Sequence, residues 1–258
     1  MANLLIGLGS VTGRALHWKN AGKVNWMPLS SIGMKDRTPT KLIAIEQITH
    51  DTKRFVVARP DGFDFEPGQA TEISIDRHGW RDEGRPFTFT SLPSDANLEF
   101  TIKRYPDHDG VTDRLHELKA GDTLLLKDVF GAISYKGPGV FLAGGAGVTP
   151  FIAVLRQVER DAQLQDNTLI FANKTEQDII DHAMWCRMLG NRAIFTLSQE
   201  KKDGFEHGRI DRALIEKHVQ NIADTRFYLC GPPPMMQDLG TLLKEMGAEM
   251  DSVVLDEG

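Results

Sequence analysis

Between Lys41 and Lys136, hydrophobic and polar positions alternate in short runs, the period that is typical of half-buried β-strands. Turn residues such as Asp61-Gly62 and Pro67-Gly68 separate these runs, and one short helix is predicted over 113–118. The six predicted strands are 41–48, 54–60, 71–76, 87–92, 98–105 and 122–129. Short strands at this spacing favour an antiparallel barrel or sandwich.

The pattern changes at Gly137-Pro138-Gly139, beyond which continuous hydrophobic runs alternate with amphipathic segments. The predicted strands are 139–144, 168–173, 193–198, 226–230 and 252–257, and the predicted helices are 150–161, 176–189, 211–219 and 235–246. This alternation predicts a parallel sheet with helices on both faces, whose ligands bind at the carboxyl ends of the strands. The predicted fold is therefore β + α/β, with an antiparallel barrel or sandwich over 37–136 and a parallel-sheet domain over 137–258.

The N-terminal segment 1–36 shows no clear hydrophobic period. Residues 1–35 contain four basic side chains and no acidic one, so the remainder of the chain is more acidic than the average. The segment lacks the long apolar stretch and the cleavage site of a signal peptide. Three interpretations remain: a poorly ordered extension, a stretch upstream of a true start at Met34, or a targeting or docking segment.

Composition excludes several classes of protein. Hydrophobic residues make up 41% of the 258 residues and charged residues 26%, which is ordinary for a globular chain. The net charge of −6 without a basic stripe argues against nucleic-acid binding, and no apolar run reaches the length of a membrane span. Two cysteines are too few for a disulfide scaffold, a four-cysteine zinc site or an iron–sulfur cluster, and they favour a reducing, cytoplasmic location. The histidine spacing matches no ligand motif, so no metal is predicted.

The strongest local motif is the glycine-rich turn at 144–150, where a predicted strand ends and a helix begins with Pro150. Free amides and the dipole of such a helix favour an anion, here a diphosphate, although a plain strand-to-helix turn is the alternative. The motif is G-x-G-x-x-P rather than the common G-x-G-x-x-G. Asn173 stands where a dinucleotide-binding fold usually has an acidic residue after its second strand.

A second motif, Arg85-Pro86-Phe87-Thr88, combines a cation, an aromatic ring and a hydroxyl on one strand. The guanidinium of Arg85 suits a phosphate. Phe87 suits the face of a flat ring, and the Thr88 hydroxyl suits a ring nitrogen. Ordinary strand formation is the alternative explanation for these residue types.

Two further motifs are individually weak. Gly110-Val111-Thr112 precedes the short helix, with Thr112 as the predicted N-cap, and offers a second diphosphate site. Cys230-Gly231 and three prolines predict a stiff loop between a strand and a helix at the ligand-binding edge of the sheet. A cysteine in this position is otherwise explained as a small buried hydrophobic residue.

Taken in order along the chain, these motifs are similar to those of the ferredoxin–NADP reductase superfamily. The family pattern R-x-[YF]-[ST] matches 85–88, G-x-G-x-x-P matches 145–150, and C-G-P-x-x-M matches 230–235. The Pro-Gly-Gln turn at 67–69 and the Gly-Val-Thr segment at 110–112 agree as well. The resemblance covers about residues 39–258 and implies an antiparallel FAD-binding barrel followed by a nicotinamide-nucleotide-binding α/β domain.

The resemblance also implies roles for individual residues. Arg85 would neutralise the FAD diphosphate, Phe87 would flank the flavin, and Thr88 would hydrogen-bond near flavin N5. Cys230 would lie beside the nicotinamide ring, and either Glu257 or Asp256 is a candidate for a catalytic carboxylate near the C-terminus. The further cofactor-binding residues that it implies are Pro86, Lys103, Tyr105, Gly110, Val111, Thr112, Gly145, Gly147, Val148, Thr149, Pro150, Ser198, Gly231 and Pro232.

The activity implied by the resemblance is hydride transfer from NAD(P)H to FAD, followed by electron transfer to a separate soluble carrier such as ferredoxin or flavodoxin, or to a small-molecule acceptor. Ser198-Gln199 stands where NADPH-preferring relatives have Ser-Arg, which leaves the choice between NADH and NADPH open. Two other functions remain: a free flavin or quinone reductase, and a non-catalytic flavin-binding subunit of a larger redox complex.

Overall fold

The computed structural model describes residues 37–106, 110–131 and 133–249, together with the backbone of 253–255. The N-terminal extension and Glu257 therefore lie outside the described residues. Within the described ranges, no helix has both the length and the hydrophobicity that a bilayer span requires.

The first half of the described chain is a six-stranded antiparallel sheet with the strand order β4-β3-β6-β1-β2-β5. Its strands are β1 (Thr38–Thr49), β2 (Thr52–Ala58), β3 (Ala70–Ile75), β4 (Arg85–Thr88), β5 (Asn97–Lys103) and β6 (Thr123–Phe130), and its helix is α1 (Val111–Leu115). Just beyond β4, the Thr90 amide donates to the carbonyl oxygen of Glu99 on β5 at 2.8 Å, so the two outer strands meet and the sheet curves into a barrel. The interior is aromatic, with Phe89 stacked on Phe65 at 4.1 Å between ring centroids.

The second half is a six-stranded parallel sheet with the order β10-β9-β8-β7-β11-β12. Its strands are β7 (Val140–Gly144), β8 (Thr168–Asn173), β9 (Ala193–Leu197), β10 (Glu206–His207), β11 (Phe227–Cys230) and β12 (Val253–Leu255). Its helices are α2 (Thr149–Arg160), α3 (His182–Leu189), α4 (Arg212–His218) and α5 (Pro233–Glu245). In α2 the buried Phe151, Val154, Leu155 and Val158 recur at helical spacing and face the core. The predicted β + α/β fold is thus confirmed.

One predicted helix is interrupted. The segment 176–189 forms a short 3-10 helix at Glu176–Asp178, and α3 begins only at His182. The Asp178 carboxylate accepts hydrogen bonds from the Thr175 amide at 2.9 Å and from the Thr175 hydroxyl at 2.7 Å, which completes a capping box around this turn. Asp181, which precedes α3, has a left-handed backbone with φ of 54°.

Two other sequence predictions about helix starts are wrong. Gly110, in an extended conformation, is the N-cap of α1, and Thr112 lies inside the helix, where its side chain caps nothing. Pro233 and Pro234 do not extend the loop after Cys230 but form the first turn of α5. Proline fits there because the first turn leaves its amides without helical partners.

The segment between the two sheets is held firmly against β11. The fully buried Tyr228 hydroxyl donates to the carbonyl oxygen of Gly137 at 2.7 Å and accepts from the Lys136 amide at 2.9 Å. Its ring stacks on Phe141 with 4.3 Å between centroids. The predicted domain boundary at 136–137 falls inside this connection, and it stays a prediction.

Helix α2 also joins the two halves, along a contact that we call the α2 seam. Thr149, Arg156 and Arg160 of α2 bond to the barrel segment 88–95. Arg156, for example, donates to the carbonyl oxygen of Thr90 at 2.7 Å. The three positions are seven and four residues apart, so they lie on one face of the helix. The seam therefore runs along the direction of a single helix.

Candidate active site

Two adjacent cavities lie where the barrel meets the carboxyl edge of the parallel sheet. The first has a volume of about 560 Å³ and the second about 720 Å³. Four residues line both: Lys103, Tyr105, Ala146 and Gly147. The two cavities consequently share a wall, and ligands bound in them would meet at the glycine-rich turn.

The first cavity is built largely from the barrel. Pro86, Phe87 and Thr88 of β4 line it, together with Thr112 of α1 and Cys230 at the end of β11. All five were predicted to be site residues. Other lining residues, not predicted, are Ala70, Thr101, Ile102, Phe130 and Gly131.

Arg85 does not line either cavity. Its exposed side chain donates to the carbonyl oxygen of the neighbouring Gly84 at 2.7 Å. The role of Arg85 at a diphosphate therefore stays a prediction. Among the described residues, the Arg85 guanidinium bonds only to the neighbouring Gly84, so binding a phosphate would break no other contact.

A hydroxyl pair connects the two halves of the site. Thr149 donates to the carbonyl oxygen of Ala146 at 3.0 Å, which uses its one proton, so in the 3.0 Å contact between the two hydroxyls Thr88 is the donor. The Thr88 oxygen then keeps lone pairs for a donor inside the first cavity. This orientation makes Thr88 a hydrogen-bond acceptor towards a ligand.

The glycine-rich turn is packed closely against the end of β11. Gly145 has φ of +53°, a conformation that other residues adopt with difficulty. A Cβ atom on Gly147 would overlap the carbonyl group of Cys230 and lie 2.6 Å from the Gly231 Cα. Only glycine at 147 thus permits the approach that brings Cys230, 6% exposed, to the wall of the first cavity.

Lys103 supplies a permanent positive charge to both cavities. Its ammonium lies 2.8 Å from an Asp51 carboxylate oxygen and 3.6 Å from one of Asp178. Burial alone would lower the pKa of Lys103, but the hydrogen bond and charge of Asp51, with the charge of Asp178, raise it above its usual value. The ammonium therefore stays protonated at neutral pH, with its charge balanced by the two carboxylates.

The second cavity lies at the carboxyl ends of β7, β8 and β9. Gly145, Gly231 and Pro232 line it as predicted, and Ser198 does so as well. Asn173 at the end of β8 also lines this cavity. Other lining residues include Gly144, Ala172, Lys174, Asp178, Arg209, Ile210, Met235 and Asp238. Their position immediately after parallel strands, or on the helix that follows, is the sequence signal that identifies most of them.

The polar groups of the second cavity suit a nucleotide. Asn173 is 7% exposed, and neither atom of its side-chain amide has a hydrogen-bond partner among the described residues. An unpaired buried amide is costly and indicates a missing partner. Lys174 and Arg209 are exposed, and no carboxylate in the described ranges lies within ion-pair distance of either. The residues present therefore fit a phosphorylated ligand with ribose hydroxyls.

The remaining predicted site residues are placed differently. Val111 and Val148 are almost completely buried, at 2% and 0% exposure, so only their backbone could serve a cofactor. Gly110 is the N-cap of α1 and lines neither cavity. Thr149 and Pro150, at the start of α2, line the first cavity and not the second, and their roles in cofactor binding stay predictions.

Two family models match the chain, and together they cover more than half of it. The oxidoreductase FAD-binding domain matches residues 39–135, and the oxidoreductase NAD-binding domain matches residues 141–240. The first match contains the barrel strands and most of the first cavity. The second begins in β7 and contains the glycine-rich turn and the end of β11.

Relatives with curated descriptions support the same relationship. The chain is 26% identical over 225 residues to the ferredoxin–NAD(P)+ reductase component of the naphthalene 1,2-dioxygenase system of Pseudomonas putida, covering 83% of this chain and 67% of the relative. It is 26% identical to the corresponding component of a Ralstonia species, covering 79% of this chain and 63% of that one. NADH-cytochrome b5 reductase 2 of Mycosarcoma maydis is 28% identical, with 81% and 69% covered. The chain thus spans about two thirds of the length of these relatives.

Solved structures share the fold. The FAD/NAD-binding domain of a nitric oxide dioxygenase from Vibrio cholerae superposes with a TM-score of 0.76 at 21% identity, covering 86% of this chain and 98% of that one. A ferredoxin–NADP+ reductase from Neisseria gonorrhoeae, solved with bound FAD and NADP, gives 0.76 at 20% identity with the same coverage. The two-sheet architecture is therefore shared along nearly the whole length of both structures.

Proposed function

Because the chain belongs to the ferredoxin–NADP reductase superfamily, we propose that it is an FAD-dependent NAD(P)H oxidoreductase that passes electrons to a separate soluble carrier such as ferredoxin or flavodoxin. The observation that carries the proposal is the meeting of the two cavities at Gly147, Lys103 and Tyr105. A flavin in the barrel cavity and a nicotinamide nucleotide in the sheet cavity would come into contact there.

Bound FAD supplies a hydride acceptor and a source of single electrons, so the protein has to bind, orient and shield. In the first cavity, Phe87 supplies an apolar wall and Thr88 an acceptor for a ring N–H, held in place by Thr149. Thr112 lines this cavity, and its side chain and the amides at the start of α1 are proposed to hold the FAD diphosphate. Tyr105, 44% exposed, lines both cavities and offers a ring face to the adenine.

In the second cavity, Gly145, Ala146 and Gly147 of the turn before α2 present amides to the coenzyme diphosphate. Lys174 and Arg209 offer charge to a more distant phosphate, and Asn173 offers its unpaired amide. Cys230 lies at the far end of β11, against the same turn, and would orient the nicotinamide ring. By holding both rings in this way, these residues would bring them together as an intramolecular pair.

The carrier is proposed to be separate from this chain, which has two cysteines, not joined to each other in a disulfide. A cysteine-ligated iron–sulfur cluster needs about four such ligands. One relative is named as the reductase component of a dioxygenase system, and this supports a separate protein as the acceptor. The lack of a disulfide between these two cysteines also favours our placement of the enzyme in the cytoplasm.

The proposed function is tested by anaerobic reduction. The purified protein, supplied with FAD, should be yellow, and NADH or NADPH should bleach its absorbance near the flavin maximum. Ferredoxin, flavodoxin, free FMN or a quinone is then added to the reduced enzyme. The acceptor is the one that restores the yellow colour fastest. A protein that takes up no FAD, or a yellow protein that neither coenzyme bleaches, contradicts the proposal.

Replacing Cys230 by alanine should slow hydride transfer by about tenfold while leaving the FAD content unchanged, because a misplaced ring loses much of the benefit of proximity. The measurement is the rate of flavin bleaching by excess NADH in a stopped-flow instrument. The matched control is Cys186→Ala, whose exposed thiol on α3 lines neither cavity. Equal rates for both variants would place Cys230 among the packing residues.

A further inference from the structure

The two halves make a second contact, away from the α2 seam, between Arg54 of β2 and Asp181 just before α3. One guanidinium nitrogen of Arg54 lies 2.7 Å and 2.8 Å from the two carboxylate oxygens of Asp181. Both side chains are largely buried, with 21% and 11% exposed. Burial alone would lower the pKa of Arg54, but the charge and hydrogen bond of Asp181 raise it. The Arg54 guanidinium therefore keeps its charge in this buried contact.

Asp181 holds this contact with an unusual backbone. Its φ of 54° is left-handed, and Ala162 is the one other described non-glycine residue with positive φ. Such a conformation costs free energy in a residue with a side chain, and it persists where its surroundings enforce it. Here it bends the chain between the capping-box turn at 176–178 and α3, and so directs the carboxylate to the barrel.

The location of the pair bears on the rotation of the two halves about the α2 seam. The contacts of the α2 seam follow one helix face, and contacts along a line leave rotation about that line unrestrained. Asp181 lies outside α2, in a segment that also reaches the barrel through the 3.6 Å contact of Asp178 with Lys103. The segment 178–181 is thus a contact off the line of the seam, and its tightest bond is Arg54–Asp181.

We propose that Arg54 and Asp181 are positioning residues, which fix the rotation of the parallel-sheet (nicotinamide) half about the α2 seam. They would thereby set how closely the nicotinamide ring approaches the flavin ring. This inference rests on the proposed function. Neither residue lines a cavity, so neither touches a ligand directly. Their effect should therefore fall on the rate of hydride transfer and not on cofactor affinity.

The test uses Asp181→Asn in the FAD-loaded full chain. Asparagine tolerates a left-handed backbone and keeps the shape of the side chain, but it removes the charge. Hydride transfer from saturating NADH or NADPH should fall by about tenfold or more, since small misplacements of reacting groups have effects of this size. FAD content and the dissociation constant of the oxidised coenzyme should stay within about twofold.

A matched control is Glu159→Gln. It removes the exposed Arg187–Glu159 pair, which has a similar 2.7 Å contact but lies wholly in the nicotinamide half. Its hydride-transfer rate should equal that of the wild-type enzyme. A rate for Asp181→Asn that is also within twofold of wild type overturns the inference.

The loss of this restraint can also be detected without turnover, from the hydrogen-exchange rates of backbone amides. Asp181→Asn should exchange faster over 46–54 and 176–185, while the α2 seam at 149–160 keeps its protection. If neither coenzyme bleaches the wild-type flavin, the proposed function has failed, and the exchange experiment still decides whether the pair restrains the two halves. Unchanged exchange over both segments contradicts the restraint.

A double-mutant cycle shows whether the two residues act as a unit. Arg54→Met keeps most of the side-chain stem, and the double variant Arg54→Met/Asp181→Asn should be no slower than the slower single variant. Losses that multiply would instead mean that each residue acts independently, which refutes a shared positioning role.

Discussion

A Gly147→Val enzyme is expected to remain yellow but to lose at least about 99% of its rate of reduction by NADH and NADPH. The reason is steric. The new Cβ would overlap the Cys230 carbonyl and approach the Gly231 Cα to 2.6 Å, so the glycine-rich turn and the end of β11 must separate. This separation displaces the wall shared by the two cavities. Anaerobic stopped-flow bleaching and the FAD content of the purified protein measure the two expectations together.

The control for this variant is Gly240→Ala. A Cβ at 240 meets nothing within 4 Å, and Gly240 lies in the interior of α5, where alanine is the better helix former. Its reduction rate should be unchanged and its thermal stability equal to or above that of the wild type. Rapid reduction of Gly147→Val would show that the coenzyme does not depend on the close approach of the turn to β11.

An Arg85→Ala enzyme is expected to release FAD. The loss of one charge-assisted contact to a phosphate is worth about 1.5–3 kcal/mol, which corresponds to about a 10-fold to 150-fold weaker affinity. The structure leaves the guanidinium exposed, bonded to the carbonyl oxygen of Gly84, so it is available to a phosphate. Titration of the apoprotein with FAD, followed by flavin fluorescence, gives the dissociation constant directly.

Arg81→Ala is the matched control, because Arg81 lies four residues away and is exposed, but its guanidinium bonds to Asp76 at 2.6 Å. Removing it should leave the affinity for FAD unchanged. If Arg85→Ala binds FAD as tightly as Arg81→Ala does, the diphosphate is held by other groups, and the similarity to the family motif does not extend to this residue.

The hydrophobic pattern was sufficient for the elements with many regular positions. The run over 168–173 coincides with β8, because a central parallel strand is buried on both faces and its pattern is continuous. The two-residue strand β10 has no such pattern, and its pairing with β9 depends on the sheet beside it. The break before α3 was missed for a similar reason, since a helical period continues across Asp181 although the backbone does not.

Site residues that lie within a sequence motif were predictable. Contacts between residues far apart in the sequence were not. Thr88 and Thr149 were each assigned to a cofactor, but their 3.0 Å contact joins positions 61 residues apart. The Arg54–Asp181 pair joins positions 127 residues apart, and no local pattern marks either partner. Asn173 was noticed as a departure from the dinucleotide motif, yet its lack of a partner emerges only from packing.

The α2 seam limits how such an enzyme can be recombined with its relatives. Because Thr149, Arg156 and Arg160 bond to the barrel segment 88–95, the position of the parallel-sheet half depends on a segment that belongs to the barrel. A chimera joined at the connection near 137 would exchange one face of this contact without the other. A working chimera must therefore take segment 88–95 and helix α2 from the same parent. The unit to exchange is this contact as a whole, and not one domain.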